Sequence, residues 1–231
     1  MMELKEIMAM AFQPTTRWQE RACYPDTKKE AEILVGCMME QEPAYDWQRV
    51  PAHGKVLASM IAWVWRTDNN NQLMLNQDKG LWLYGPIGTG KTTLLKGFRK
   101  YMANVASRFC LNRDDDHRLC AWYKSASEIA NIYAAKGHGG IVDYCSKDVN
   151  LIVDELGREP IPANNYGTKL NTMKHIMQMR YDNRRTSVTH VTTNLELGDI
   201  ADLYGNYVAD RCLEMFNFIK IDGESLRSNQ Q

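Results

Sequence analysis

The sequence predicts an α/β sandwich built on a parallel β-sheet, and three observations predict it. Short apolar runs recur along the chain, each closed by a glycine or a polar residue and followed by a stretch of helical periodicity. One of these runs, Leu81-Trp82-Leu83-Tyr84, stops directly at a glycine-rich turn. Another, Asn150 to Val153, is aliphatic at Leu151, Ile152 and Val153 and stops at two carboxylates. Strands that alternate with helices are joined by right-handed crossovers, so the strands run parallel and helices cover both faces of the sheet.

The elements follow in order. Residues 1–50 read as a polar, helix-prone segment broken near Pro25 and Pro43, with Thr27 as the cap of a helix through Lys28 to Val35. A helix from Gly54 to Arg66 repeats Val56, Met60, Val64 and Leu57, Ile61 at i, i+4, which makes one apolar face. After the strand at Leu81–Tyr84, a helix is expected from Thr92 to Ser107 and a second strand from Leu119 to Tyr123. Ser125 or Ser127 caps the next helix, which runs to Ala135 and is broken by Gly137-His138-Gly139-Gly140. The acidic strand comes third, then a helix from Thr168 to Asn183, a strand from Val188 to Thr193, and a fifth strand from Phe218 to Ile221. The boundary between the helical segment, residues 1–50, and the α/β domain, 51–231, is placed at about residue 50.

Composition narrows the function classes. The chain has 231 residues, with 28 basic and 28 acidic, so net charge gives no argument for non-specific nucleic-acid binding. None of the six cysteines forms a CxxC pair, which speaks against structural zinc. Asp114-Asp115-Asp116-His117 reads as a solvated loop rather than a metal site. There is no signal-peptide pattern, and the longest apolar run, Val56 to Trp65, is too short to span a bilayer. A cytoplasmic protein with reduced thiols is the expectation.

The chemistry begins at Gly85-Pro86-Ile87-Gly88-Thr89-Gly90-Lys91-Thr92, which fits GxxxxGK[ST] at every fixed position. Glycines let the backbone curl so that successive N–H groups point at phosphate oxygens, and the following helix adds the positive end of its dipole. Lys91 reaches the β- and γ-phosphates, Thr92 takes a place on Mg²⁺, and Thr93 closes the nucleotide-binding run. Asp154 is placed to hold the magnesium shell and Glu155 to polarise an attacking water. Thr192-Thr193-Asn194 ends the next strand, where Asn194 reads either as a turn residue or as a polar tip that bonds the water or the γ-phosphate. His190, inside that strand, reads as core.

Further along the chain come Asp154-Glu155-Leu156-Gly157, Thr192-Thr193-Asn194-Leu195, Tyr204-Gly205, Ala209-Asp210-Arg211 and Gly223-Glu224-Ser225-Leu226-Arg227. In that order they resemble the AAA+ ATPases of the DnaC-type helicase-loader group and their IstB-type transposition-helper relatives, over about residues 80–228. The resemblance implies an AAA+ P-loop fold, a three-layer sandwich, with ATP preferred over GTP. Arg211 matches the arginine finger that completes a neighbouring subunit's site, and Arg227 matches the sensor-2 arginine that touches nucleotide in its own subunit. A head-to-tail homo-oligomer follows from an arginine acting in trans.

The partners implied are a replicative helicase and single-stranded DNA, with hydrolysis driving release; the alternative is a transposase on duplex DNA. Residues 1–50 stand where loaders carry their helicase-docking domain, and Met38, Met39 and Ile33–Val35 offer either a docking face or core. The resemblance implies a pore that holds the strand in the assembled oligomer, and Lys124, Lys136 and Lys147 are the candidates to face it. A small-molecule kinase would need an acceptor lid that the sequence does not suggest, and an interaction module without turnover does not need Glu155.

Overall fold

The structure is a computed structural model and describes residues 26–66, 75–108, 119–146, 150–184 and 187–226. Arg227, Lys147, Asp114–His117 and residues 1–25 lie outside the described residues. The chain divides into two compact units. One is drawn from Met1–Gln77, Pro86–Cys110 and Lys220–Gln231, the other from Asp78–Gly85 and Leu111–Ile219.

The first unit is helical. Helix α1 spans Thr27–Met39, a 3₁₀ turn spans Trp47–Arg49, α2 spans Ala52–Trp65 and α3 spans Lys91–Arg108. The cap of α1 is Asp26 rather than Thr27: its carboxylate accepts from the amides of Lys28 and Lys29, satisfying two orphan donors of the first turn. Helix α2 was expected to bury one face. Instead every residue from His53 to Trp65 except Lys55 is buried, because Trp63, Trp65, Ala58 and Ala62 occupy the faces that the i, i+4 series leaves open. An all-round apolar helix belongs in a core. Helix α3 opens at Lys91, one residue before the expected start.

A buried polar chain ties the three helices. Trp65 Nε1 donates to Tyr101 Oη at 2.8 Å, and Tyr101 donates to Glu30 Oε2 at 2.7 Å. Arg108 closes on both Glu30 oxygens at 2.7 Å each. Glu30 is a buried carboxylate, and this bidentate partner and the phenol compensate its desolvation. Around the chain, Trp63 packs edge-on against Phe98, and Met38 crosses α3 at Gly97, where a Cβ would come 3.1 Å from the Met38 Cα.

The second unit holds the sheet. Its strands are β1 Gly80–Tyr84, β2 Ala121–Ser125, β3 Asn150–Leu156, β6 Thr189–Thr193 and β7 Phe216–Lys220, in the order β2-β3-β6-β1-β7. The pairings from β2 through β3 and β6 to β1 are parallel. The five expected strands are these five. Helices α4 Ala126–Lys136 and α5 His138–Cys145 follow β2, and α6 Thr172–Asp182 precedes β6. Ser125, not Ser127, caps α4, in a capping box with Glu128.

Three expectations are corrected. Only Gly137 breaks the helix after Ser125; Gly139 and Gly140 lie inside α5. The helix placed at Thr168–Asn183 starts at Thr172, because residues 163–170 form an antiparallel hairpin of β4 Ala163–Asn165 and β5 Thr168–Leu170. Two short helices without an expected counterpart, α7 Leu197–Tyr204 and α8 Asn206–Met215, meet at Gly205. The core of this unit gathers Trp82, Ile129, Tyr133, Leu151, Val153, Ile176, Val191 and Phe216.

Candidate nucleotide site

The phosphate loop starts where β1 ends. Gly85 belongs to the sheet unit and Pro86 onward to the helical unit. Gly88 and Gly90 hold φ of +87° and +81°, backbone that a side chain resists, so the curl that the motif requires is present. Pro86 and Ile87 are exposed at the loop's crest, Thr89 is buried beneath it, and Thr92 and Thr93 sit half-buried in the first turn of α3. Lys91 is buried, and its ammonium donates to the Pro86 carbonyl at 2.6 Å and to Thr89 Oγ1 at 3.4 Å. Thr89 Oγ1 donates to the same carbonyl at 3.0 Å.

Two supports hold this loop, and the first has no signature in the sequence. His53, in the first turn of α2, donates from Nε2 to the Thr89 carbonyl at 2.8 Å, while its Nδ1 accepts from Tyr45 Oη at 3.3 Å. The rings of Tyr45 and His53 stack 5.7 Å apart. Burial pushes the His53 pKa down, so the ring is neutral with its proton on Nε2. From the other side, Leu226 N donates to Gly88 O at 3.0 Å, and a Cβ on Gly88 would lie 2.1 Å from Ser225 Oγ. The Gly223–Leu226 part of the closing motif thus packs on the loop.

In the sheet unit, the end of β3 is built differently. Asp154 is buried, and both of its oxygens accept: Oδ2 from Tyr123 Oη at 2.5 Å and Oδ1 from Thr192 Oγ1. Register explains these partners. Ser125 stands opposite Asp154 on β2, with Tyr123 two residues back, and β6 lies on the other side of β3. The Asp154 carboxylate helps hold the Tyr123 phenol well above its ordinary pKa, with burial the larger cause.

Between Val153 and Leu156, β3 advances three residues while β6 advances two, from Val191 to Thr193. That is a β-bulge, and it carries Glu155 at φ +55°. In a regular strand, Asp154 and Glu155 point to opposite faces; the bulge breaks that alternation. The strained residue is held by its amide, which donates to Thr192 Oγ1 at 2.9 Å. One hydroxyl on β6 therefore fixes both acidic residues. The Glu155 carboxylate accepts from Arg158 Nη1 at 2.9 Å.

Asn194 follows β6 and is half-buried. Arg211 lies on α8, its guanidinium 3.6 Å above the Tyr207 ring and 4.2 Å above the Tyr181 ring, a cation–π clamp that fixes its plane. His190 is buried, as its strand position predicts, and its Nδ1 accepts from Leu81 N at 3.1 Å. Burial drives its pKa down to about 3, so it is neutral and structural. Among the described residues, no group of three or more His, Cys, Asp or Glu is arranged to hold a metal ion, and no helix is long and apolar enough to cross a membrane.

No protein-family model and no curated protein matches the sequence. Among solved structures, the chain is similar to the DnaC helicase loader at 19% identity, over 74% of this chain and 90% of that one, with a TM-score of 0.50. A candidate primosome component from Streptococcus pyogenes serotype M3 aligns over 96% of this chain and 99% of that one, at 15% identity and a TM-score of 0.49. DnaA from Aquifex aeolicus bound to AMPPCP aligns over 64% of this chain and 42% of that one, at 20% identity and a TM-score of 0.41. The first of these likenesses shows the fold, an α/β sandwich with a central five-stranded sheet, shared with the DnaC helicase loader.

Proposed function

We propose that this chain is a Mg²⁺-dependent ATPase that acts in DNA replication by loading or remodelling a replicative helicase on single-stranded DNA. One observation carries the ATPase part. The strand that ends in the phosphate loop and the strand that ends in Asp154-Glu155 are separated by a single strand, β6, whose end is polar at Thr192, Thr193 and Asn194. That order within the sheet supports reading the loop after β1 as a phosphate cradle, Asp154 as a magnesium ligand, Glu155 as a base and Asn194 as a polar contact for water.

The residues fit the nucleotide and its metal. Gly88 and Gly90 leave no Cβ over the loop, and the amides of residues 88–93 are the donors that would hold the β- and γ-phosphates, with Lys91 adding a charge-assisted contact. Thr92 and Asp154 are hard oxygen donors suited to Mg²⁺. When bound, the metal neutralises charge on the β- and γ-phosphate oxygens. Asp154 keeps acceptor capacity on each oxygen beyond its bonds to the Tyr123 and Thr192 hydroxyls.

In this reading Glu155 takes the proton of the attacking water and Asn194 orients that water. The Arg158 ion pair holds Glu155 to one side until the base is needed, and at this exposure it is weak enough to break. Arg211, its plane set by Tyr181 and Tyr207, is offered to the γ-phosphate of a neighbouring copy, and Arg227 to nucleotide in its own. An Arg211→Ala variant then loses turnover but regains part of it when mixed with Lys91→Ala, since each supplies what the other lacks. Absence of recovery would overturn the trans assignment.

The loader part is supported by the fold shared with the DnaC helicase loader; residues 1–50 are the element proposed to dock the partner. The test is co-purification with the replicative helicase of the same cell, with and without ATP. A stable, nucleotide-dependent complex is expected. Failure to form one, with turnover stimulated by duplex DNA and a transposase, would replace loading with a transposition-helper role.

A further inference from the structure

Amides of a loop can be aimed at a phosphate only if the carbonyls of the same peptides turn the other way, because N–H and C=O of one trans peptide point in opposite directions. Three consecutive carbonyls of the glycine-rich loop are held. Gly88 O accepts from Leu226 N at 3.0 Å, Thr89 O from His53 Nε2 at 2.8 Å, and Gly90 O from Leu94 N at 3.0 Å. The amides that share the first two of these peptides, Thr89 N and Gly90 N, donate in no hydrogen bond among the described residues, although Thr89 is wholly buried. Buried backbone donors without an acceptor are rare, and two in succession make a concavity suited to an anion.

The third carbonyl is held by α3 itself, since the Leu94 bond is an ordinary helical one. The other two depend on groups far away in the sequence. His53 is wholly buried in the mostly apolar α2, and an imidazole buried there costs free energy unless its nitrogens are bonded. Both are bonded: Nε2 to the loop, and Nδ1 to Tyr45, whose hydroxyl donates and so keeps the ring proton on the Nε2 that faces Thr89 O. The braces also press on the loop. A Cβ on Gly90 would lie 3.1 Å from His53 Cε1 and 3.4 Å from Leu226 Cδ1. They meet each other behind it, where a Cβ on Gly223 would lie 3.2 Å from Val50 Cγ1, and Val50 O accepts from His53 N at 2.8 Å.

We infer that His53 and the Leu226 amide are positioning groups for a phosphate chain: each turns one loop carbonyl outward and so aims the Gly90 and Thr89 amides at the phosphates. The inference deepens the proposed function and rests on it for the phosphate as ligand. The test is calorimetric titration of the full chain with MgADP, alongside steady-state ATP turnover. In His53→Leu, ADP affinity falls about tenfold and KM for ATP rises to match, while kcat stays within about twofold, because these contacts are made equally in the ground and transition states. His53→Gln loses the same ring but carries an N–H near the place of Nε2, and it restores affinity to within about threefold of the wild type. Leu226→Pro deletes the other donor at a position outside the helices and strands, and its ADP affinity falls by a similar factor.

Unchanged ADP affinity in His53→Leu and Leu226→Pro overturns the assignment and leaves the ATPase reading standing. Equal losses in His53→Leu and His53→Gln also overturn it, in favour of packing by the ring. A wild-type chain that binds ADP with this dependence on His53 yet hydrolyses no ATP supports the braces and overturns the ATPase reading. A wild-type chain that binds no ADP overturns both.

Discussion

In the glycine-rich loop the backbone is shaped and side chains are kept clear of it; at the end of β3 it is the side chains that are held, and the backbone is bent beside them. Gly88 and Gly90 reach φ of +87° and +81° without strain because they lack a Cβ. Glu155 reaches +55° with one, in a bulge braced by the Thr192 hydroxyl. The supports differ in the same way. The loop is held through its carbonyls, Thr89 O by His53 and Gly88 O by Leu226 N. The acidic pair is held by hydroxyls of the flanking strands.

The largest effects should separate the two regions outright. Lys91→Ala is expected to weaken nucleotide binding on the order of 100-fold, the worth of a lost charge-assisted contact, whereas Glu155→Gln keeps binding and loses about 10²–10⁴-fold in turnover. Calorimetric titration with an ATP analogue and a phosphate-release assay read the two. Equal losses of binding in both variants would dissolve the contrast.

Thr192→Val probes the bracing alone. Removing the hydroxyl orphans the Glu155 amide and one Asp154 acceptor, so stability falls by about 1–3 kcal/mol and turnover falls, with nucleotide affinity nearly unchanged. Denaturant titration checks the first figure. If turnover survives, the bulge does not depend on Thr192.

Gly88→Ala is the complementary change. A left-handed alanine costs about 1–2 kcal/mol and its Cβ collides with Ser225, so nucleotide affinity drops while the acidic strand is untouched. Adding Ser225→Gly removes the collision and should restore part of the affinity.

The smallest effect at neutral pH is at His190, where the consequence is a pH slope. His190 is held neutral with a folded pKa of about 3, against about 6.5 in the unfolded chain. Below the unfolded value the unfolded chain takes up a proton that the folded one refuses. Stability therefore falls by about 1.4 kcal/mol per pH unit from pH 6.5 downward until the folded ring itself titrates. His190→Asn keeps an acceptor for Leu81 N and should flatten that slope in urea melts at several pH values.

What was legible follows the range of each constraint. Strands β1 and β3 are readable because a buried strand is apolar over consecutive residues, and the glycine-rich turn because its φ values limit the residues locally. Boundaries slipped where a distant contact decided them. Strand β5 falls inside the helix expected from Thr168, and β4 has no expected counterpart, because the Tyr166-Gly167 turn lacks the usual turn signature. Helix α2 was read as one-sided because periodicity counts apolar positions and does not see which other faces are covered.

By itself the sequence determined the α/β class, the phosphate loop at residues 85–93 and the two carboxylates at the end of β3, since each is written in adjacent residues whose types the backbone or the chemistry restricts. Only the tertiary structure decided that Tyr123 and Thr192 hold Asp154, that a bulge turns Glu155, and that His53 and Leu226 brace the loop. Those partners lie from 31 to more than a hundred residues apart in sequence, where strand register and helix packing rather than local propensity bring donor to acceptor.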